Sequence, residues 1–166
     1  RGLCGGFNSS IIKFSKNFTD KFIESGSKVS YIFVGKKAYF SLRRNFKESI
    51  IDFFSDIANP SIDFELAGKI RDKILELFLS NTIQECHLIY TKFKSAISQN
   101  VTSMQLLPLE KSKSDNENTE RYLYDFEPEE DVILNEIVPR NIAIQIHTAL
   151  LENLASEQGS RMTAMD

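Results

Sequence analysis

Tryptophan is absent from this chain, and cysteine and histidine occur only twice each. The cysteines, Cys4 and Cys86, lie far apart and in no CxxC or Cys/His spacing. That argues against a disulfide or a metal site and for two buried free thiols in a reducing compartment. No run of about 18 apolar residues occurs, and no charged-then-apolar leader, so the sequence holds no expected membrane-spanning or signal segment, although docking on something membranous stays open. Positive charge is also in short supply: 20 Lys and Arg against 23 Asp and Glu leave a net charge of -3. A nucleic-acid-binding surface ordinarily gathers a basic excess on one face, and none is found. There is no initiator methionine, and the first residue already lies in a patterned segment, so a piece of a longer chain is expected.

What is present suits one α/β body with an appendage: 166 residues, 42% of them hydrophobic. After the opening "RGLCGGFN", Asn8 or Ser9 is a candidate cap for a helix whose apolar face is Ile11, Ile12, Phe14, Phe18, Phe22 and Ile23, ending at Gly26. "KVSYIFVG" reads as a strand buried on both faces, "KKAYFSLRR" as a short helix and "ESIIDFFSDI" as another strand. "NPS" supplies the turn and cap for a helix over 63–79 with Leu66, Ala67, Ile70, Ile74, Leu77 and Phe78 on its face. "ECHLIYTKFKSAISQNVTSMQLLPL" reads as two long strands joined near 96–99. The order predicts an α/β fold: a Rossmann-like, mixed and mostly parallel sheet flanked by helices, followed by the start of a long C-terminal coiled-coil helix.

Between 110 and 131 the composition shifts to nine acidic against three basic residues. Its first part, about 110–121, reads as a solvated acidic loop. In "YLYDFEP", Tyr122, Tyr124 and Phe126 fit a last edge strand or an exposed aromatic contact, and the two are compatible. From Pro128 the chain turns helical, with Pro139 expected to interrupt or kink it at Val138. Beyond it, Ile142, Ile146, Leu150 and Leu154 form a stripe, and Ala155, Ser156, Gly159, Ser160, Thr163 and Ala164 a small-residue stretch that lets another backbone approach. Such a helix is expected to have lost a partner or its own continuation, the alternative being that it packs back onto the domain over about half its length. The domain division is therefore 1–127 for the globular part and 128–166 for the helix.

Catalytic patterns fail one by one. A phosphate loop needs Lys-Ser/Thr after its last glycine, but Gly6 is followed by "FNS", and glycines at 2, 5 and 6 do not spell GxGxxG. Gly5 and Gly6 then read as conformational, permitting positive φ or a close approach at a strand-to-helix turn. His87 in a strand and His147 in a helix are packed or surface residues by position. There is no GxSxG, no HExxH and no matched acid pair, and nothing activates a Ser or Cys. The expected site inventory is empty: no catalytic residue, cofactor or metal.

Two separated segments, "RGLCGGFN" and "LASEQGSRMTAMD", with "ANPS", "IYTKFKSAISQ" into "LLPL", and "YDFEP" between them in order, resemble the gamma subunits of F-type ATP synthases, the central rotor stalk. The resemblance runs end to end. It implies a Rossmann-like foot beneath a shaft of two long antiparallel helices, of which this chain carries the foot and the beginning of the second. The implied role is non-catalytic coupling of proton-driven c-ring rotation to ATP synthesis in the alpha/beta hexamer. The implied partners are alpha, beta and epsilon subunits and the c-ring, with no nucleic acid and no small-molecule substrate, on the cytoplasmic side of the cell inner membrane as a peripheral subunit. By position, Tyr122, Tyr124, Asp125 and Glu127 match the c-ring and epsilon contact, and Glu157, Gln158 and Arg161 the beta contact. The inserted dithiol of chloroplast relatives is missing, which implies a bacterial-type member. The alternatives are a nucleotide-sensing Rossmann-like regulatory domain and a stand-alone adaptor.

Overall fold

A computed structural model describes residues 4–44, 46–55, 62–109 and 130–165. In chain order these form α1 (Phe7–Glu24), β1 (Tyr31–Val34), α2 (Lys36–Leu42), a 3-10 turn (Lys47–Ser49), β2 (Ile50–Phe54), α3 (Phe64–Leu79), β3 (Cys86–Phe93), β4 (Gln99–Leu107) and α4 (Glu130–Thr163). Parallel pairing is confined, among the described residues, to β1 with β2; β3 and β4 form an antiparallel hairpin. The mixed α/β architecture with flanking helices and a long C-terminal helix is thus present, as two separate ladders.

Local chemistry explains most boundaries. α1 ends where Gly26 adopts φ +83° and the amides of Gly26 and Ser27 reach back to Ile23 O and Phe22 O at 2.9 Å each, satisfying the last carbonyls. Its start differs from expectation: the capping position is Gly6, and no side chain caps it. Ser9 and Ser10 instead donate their hydroxyls to Gly6 O at 2.9 Å, and Asn8 Nδ2 lies 3.0 Å from Cys4 Sγ, so the helix begins at the buried Phe7. α3 is capped by Asp63, whose carboxylate accepts the Glu65 N–H at 3.2 Å, taking the role expected of "NPS". The 3-10 turn shortens the expected second strand to Ile50–Phe54.

The core lies where α3, β4 and α4 meet. Ala67, Ile70 and Ile74 from α3, Leu106 and Leu107 from β4, and Ile142 and Ile146 from α4 are buried together, with Ile32, Val34, Phe54 and Leu150 packed around them. Removing this much apolar surface from water outweighs the defect at Pro139. Its missing N–H and ring clash cost about 3 kcal/mol in a helix interior. Accordingly α4 runs 34 residues with Pro139 inside it, and the expected interruption at Val138 is absent.

Two expected apolar faces are corrected. On α1 only Phe7 and Thr19 are buried; Ile11, Ile12, Phe14, Phe18 and Phe22 are half-covered and Ile23 is exposed. On α4 the stripe expected to be unmatched is matched within the chain, since Ile142 and Ile146 pack on α3. A different face is open: Leu134, Ile137, Ile144 and Leu151 are each 45–55% exposed, and the last three stand seven residues apart.

Candidate functional site

The C-terminal end of α4, the opening glycine turn and the tip of the β3–β4 hairpin converge. Gly159 sits so close to the hairpin that a Cβ there would come 3.2 Å from Ala96 Cα and 3.3 Å from Ala96 O. Small side chains on the same face of α4 bond across this approach. Ser156 Oγ donates to Thr91 O at 3.1 Å, and Asn153 Oδ1 accepts the Thr91 N–H at 3.3 Å, so both outward backbone groups of Thr91 on β3 are met by the helix. Further along, Ser160 Oγ donates to Gln99 Oε1 at 3.0 Å, and the Thr163 hydroxyl shares its one proton between Gly159 O of its own helix at 2.7 Å and Ala96 O of the hairpin at 3.1 Å. Gln99 Nε2 donates to Ala96 O at 2.6 Å, bracing the turn from inside. The small-residue stretch therefore receives the chain's own hairpin.

Beside this contact lies a cleft of about 360 Å³, lined by the turn at Cys4–Phe7, by Ser10, and by Thr163 and Ala164 opposite. Gly5 has φ +52°, which favours glycine there. Among the described residues no lysine or arginine lines the cleft, so these residues supply no cation of the kind a phosphate loop sets against its ligand. Among the described residues no cluster of His, Cys, Asp or Glu has metal-binding geometry.

Glu157 and Arg161 pair with each other at 2.8 Å, one helical turn apart and each about 40% exposed, and Gln158 is exposed beside them. The structure thus brings the three residues expected at a beta contact onto one stretch of α4. Tyr122, Tyr124, Asp125 and Glu127 lie outside the described residues. Of the histidines, His87 is wedged against the Phe18 and Phe22 rings at 5.3 and 5.4 Å and reaches Glu85 at 3.2 Å, and His147 meets the Phe64 ring at 5.4 Å. Both cysteines are free. Burial pushes the Cys86 thiol up to about 11, which keeps it protonated and unreactive at neutral pH. Asn153 and Gln99 were not singled out in the sequence; the 3-4-3 spacing of 153, 156, 160 and 163 is the signal that marks a polar face.

Known proteins give a consistent answer. A family profile described as ATP synthase matches residues 1–166. The ATP synthase gamma chain of Pelagibacter ubique is 43% identical over 166 residues, and that of Beijerinckia indica 44% over 167; each alignment covers 100% of this chain and 57% of the relative. The chain therefore spans a little over half the length of these curated relatives. Among solved structures, the central stalk/c-ring part of the Tetrahymena thermophila mitochondrial ATP synthase superposes with a TM-score of 0.76 at 30% identity, over 99% of this chain and 70% of that one. The rotor of the Euglena gracilis mitochondrial enzyme follows at 0.64 and 20% identity, a likeness of fold alone. With the whole chain matched and the fold shared with a central stalk, this chain belongs to the ATP synthase family that these gamma chains represent.

Proposed function

We propose that this chain forms the foot and the lower shaft of a gamma subunit, the central stalk of an F-type ATP synthase, with no catalytic site of its own. In this reading residues 1–127 are the foot and 128–166 begin the shaft. The observation that carries the reading is α4: one face is locked into its own globular part, and another keeps a seven-residue apolar repeat open, which is what a helix needs in order to pair with a second long helix. Ile137, Ile144 and Leu151 supply that seam.

The proposed role is mechanical. Rotation of a c-ring turns the foot, the foot turns the shaft, and the shaft forces the alpha/beta hexamer through its binding states, so bond making in ATP belongs to the partners. Tyr122, Tyr124, Asp125 and Glu127 are proposed to meet the c-ring and epsilon. Glu157, Gln158 and Arg161 are proposed to meet beta, with the guanidinium of Arg161 exchanging Glu157 for a partner carboxylate in two-point geometry. No described helix is long and apolar enough to cross a membrane, which agrees with a peripheral subunit held on the cytoplasmic side of a cell inner membrane through its partners.

Co-purification tests the proposal. A tagged full-length protein, expressed with its neighbouring subunits, should recover alpha, beta and epsilon in one complex with ATPase activity. Recovery of the tagged protein alone, under conditions that preserve the hexamer, overturns it.

A further inference from the structure

We propose that the contact between α4 and the β3–β4 hairpin is a rotational lock, through which turning force on the foot enters the shaft. The inference rests on the stalk reading above and adds to it the place where force is transferred.

Among the described residues, two kinds of contact matter most for how α4 sits on the globular part. The first is the apolar packing of Ile142 and Ile146 against Ala67, Ile70 and Ile74 of α3. Such packing fixes which face of α4 meets α3, but its energy is non-directional and changes gradually over small rotations and slides. The second is the polar seam, and it is directional. Asn153, Ser156, Ser160 and Thr163 recur at steps of three, four and three residues, so they line one face over roughly 15 Å of helix. Their partners are Thr91 N–H, Thr91 O, Gln99 Oε1 and Ala96 O, three backbone atoms and one side chain braced on the backbone. Rotating α4 by one residue, about 100°, or shifting it by one residue would break all four bonds together and leave buried groups at Thr91 unpaired. Gly159 sits at the midpoint, with Ala96 Cα 3.2 Å from where its Cβ would be. A side chain there would force the Ala96 turn to give way by a few tenths of an ångström, so the hairpin acts as a tooth seated in the helix.

The test uses the full-length chain assembled with its alpha, beta, epsilon and c subunits in inverted membrane vesicles. It compares the unmodified chain, the double substitution Ser156→Ala with Ser160→Ala, and Gly159→Val. Three quantities are read: subunit recovery, ATP hydrolysis rate, and ATP-driven acidification per ATP hydrolysed. Each lost bond weakens the locked arrangement roughly fivefold, so the double substitution, which removes two, weakens it roughly 25-fold. The expected result is normal recovery, hydrolysis within about twofold of the unmodified complex, and acidification per ATP reduced at least about fivefold in both variants. A merely structural role would lower hydrolysis and acidification together and leave their ratio fixed; an unchanged ratio in the assembled variants overturns the lock. Should Gly159→Val not assemble, the double Ser→Ala variant, which adds no bulk, decides the matter. Failure of the unmodified chain to assemble at all overturns the stalk reading instead.

Discussion

Two glycines in helices of this chain make a matched pair whose substitutions should move stability in opposite directions. Gly68 in α3 and Gly159 in α4 both have ordinary helical neighbours, and replacing either by Ala gains the same intrinsic term, about 1 kcal/mol. Their surroundings differ. A Cβ at Gly68 meets Arg71 Nη2 at 3.8 Å, an ordinary contact with the end of a flexible side chain. At Gly159 it meets Ala96 Cα and Gln99 Nε2 at 3.2 Å and Ala96 O at 3.3 Å. Two of those atoms are backbone in a turn held by Lys94 N–H to Ser98 O and Ser98 N–H to Ser95 O, so the hairpin must move as a unit. Forcing an extra carbon into such a contact costs about 1–3 kcal/mol, and the move would stretch the bonds from Ser160 and Thr163 as well. Gly68→Ala is therefore expected to stabilise by about 1 kcal/mol and Gly159→Ala to destabilise by about 1 kcal/mol, a gap near 2 kcal/mol. Urea unfolding of the full-length protein at constant slope measures this gap as a difference in midpoints. Equal stabilisation by both substitutions would refute the close approach of α4 to the hairpin.

Further outcomes follow from single side chains. The hydroxyl of Thr91 is buried without a hydrogen-bond partner, so Thr91→Val, which keeps its shape and its backbone bonds, should stabilise by about 1 kcal/mol in the same unfolding assay. Ile146→Ala should destabilise by about 2–5 kcal/mol, while Ile144→Asp, two positions away on the open face, should leave the folded foot intact yet abolish co-purification with alpha and beta. For Cys86 the folded thiol titrates near 11 against an ordinary 9.0, so the folded state retains a proton that the unfolded state loses. The contribution of this thiol should be constant below pH 9 and fall by about 1.4 kcal/mol per pH unit between 9 and 11, and this slope should vanish in Cys86→Ala.

Periodicity found most of the elements. The α3 face at Leu66, Ala67, Ile70, Ile74, Leu77 and Phe78 was legible because one side of a helix buried against a core must repeat every three or four residues, and Ala67, Ile70 and Ile74 are indeed buried. The hairpin was legible from two β-rich runs around a polar turn. The departure from a phosphate loop was legible as well, because the lack of a Lys-Ser/Thr pair after Gly6 is a fact of sequence. Capping was read less well: whether Asn8, Ser9 or nothing caps α1 depends on where Phe7 can be buried, a question of packing.

The apolar positions of α4 mark the boundary between the two kinds of knowledge. By itself the sequence determined that α4 is a long helix carrying aliphatic residues and a run of small ones, since both follow from residue type and spacing. It could not assign which aliphatic face is covered, because Ile142 with Ile146 and Ile144 with Leu151 are equally apolar, and only the position of α3 distinguishes them. Nor could it say what the small residues receive. That they hold the chain's own hairpin at Ala96, more than 60 residues away in sequence, was decided by tertiary packing, where a contact depends on what the fold brings near and no local pattern records it.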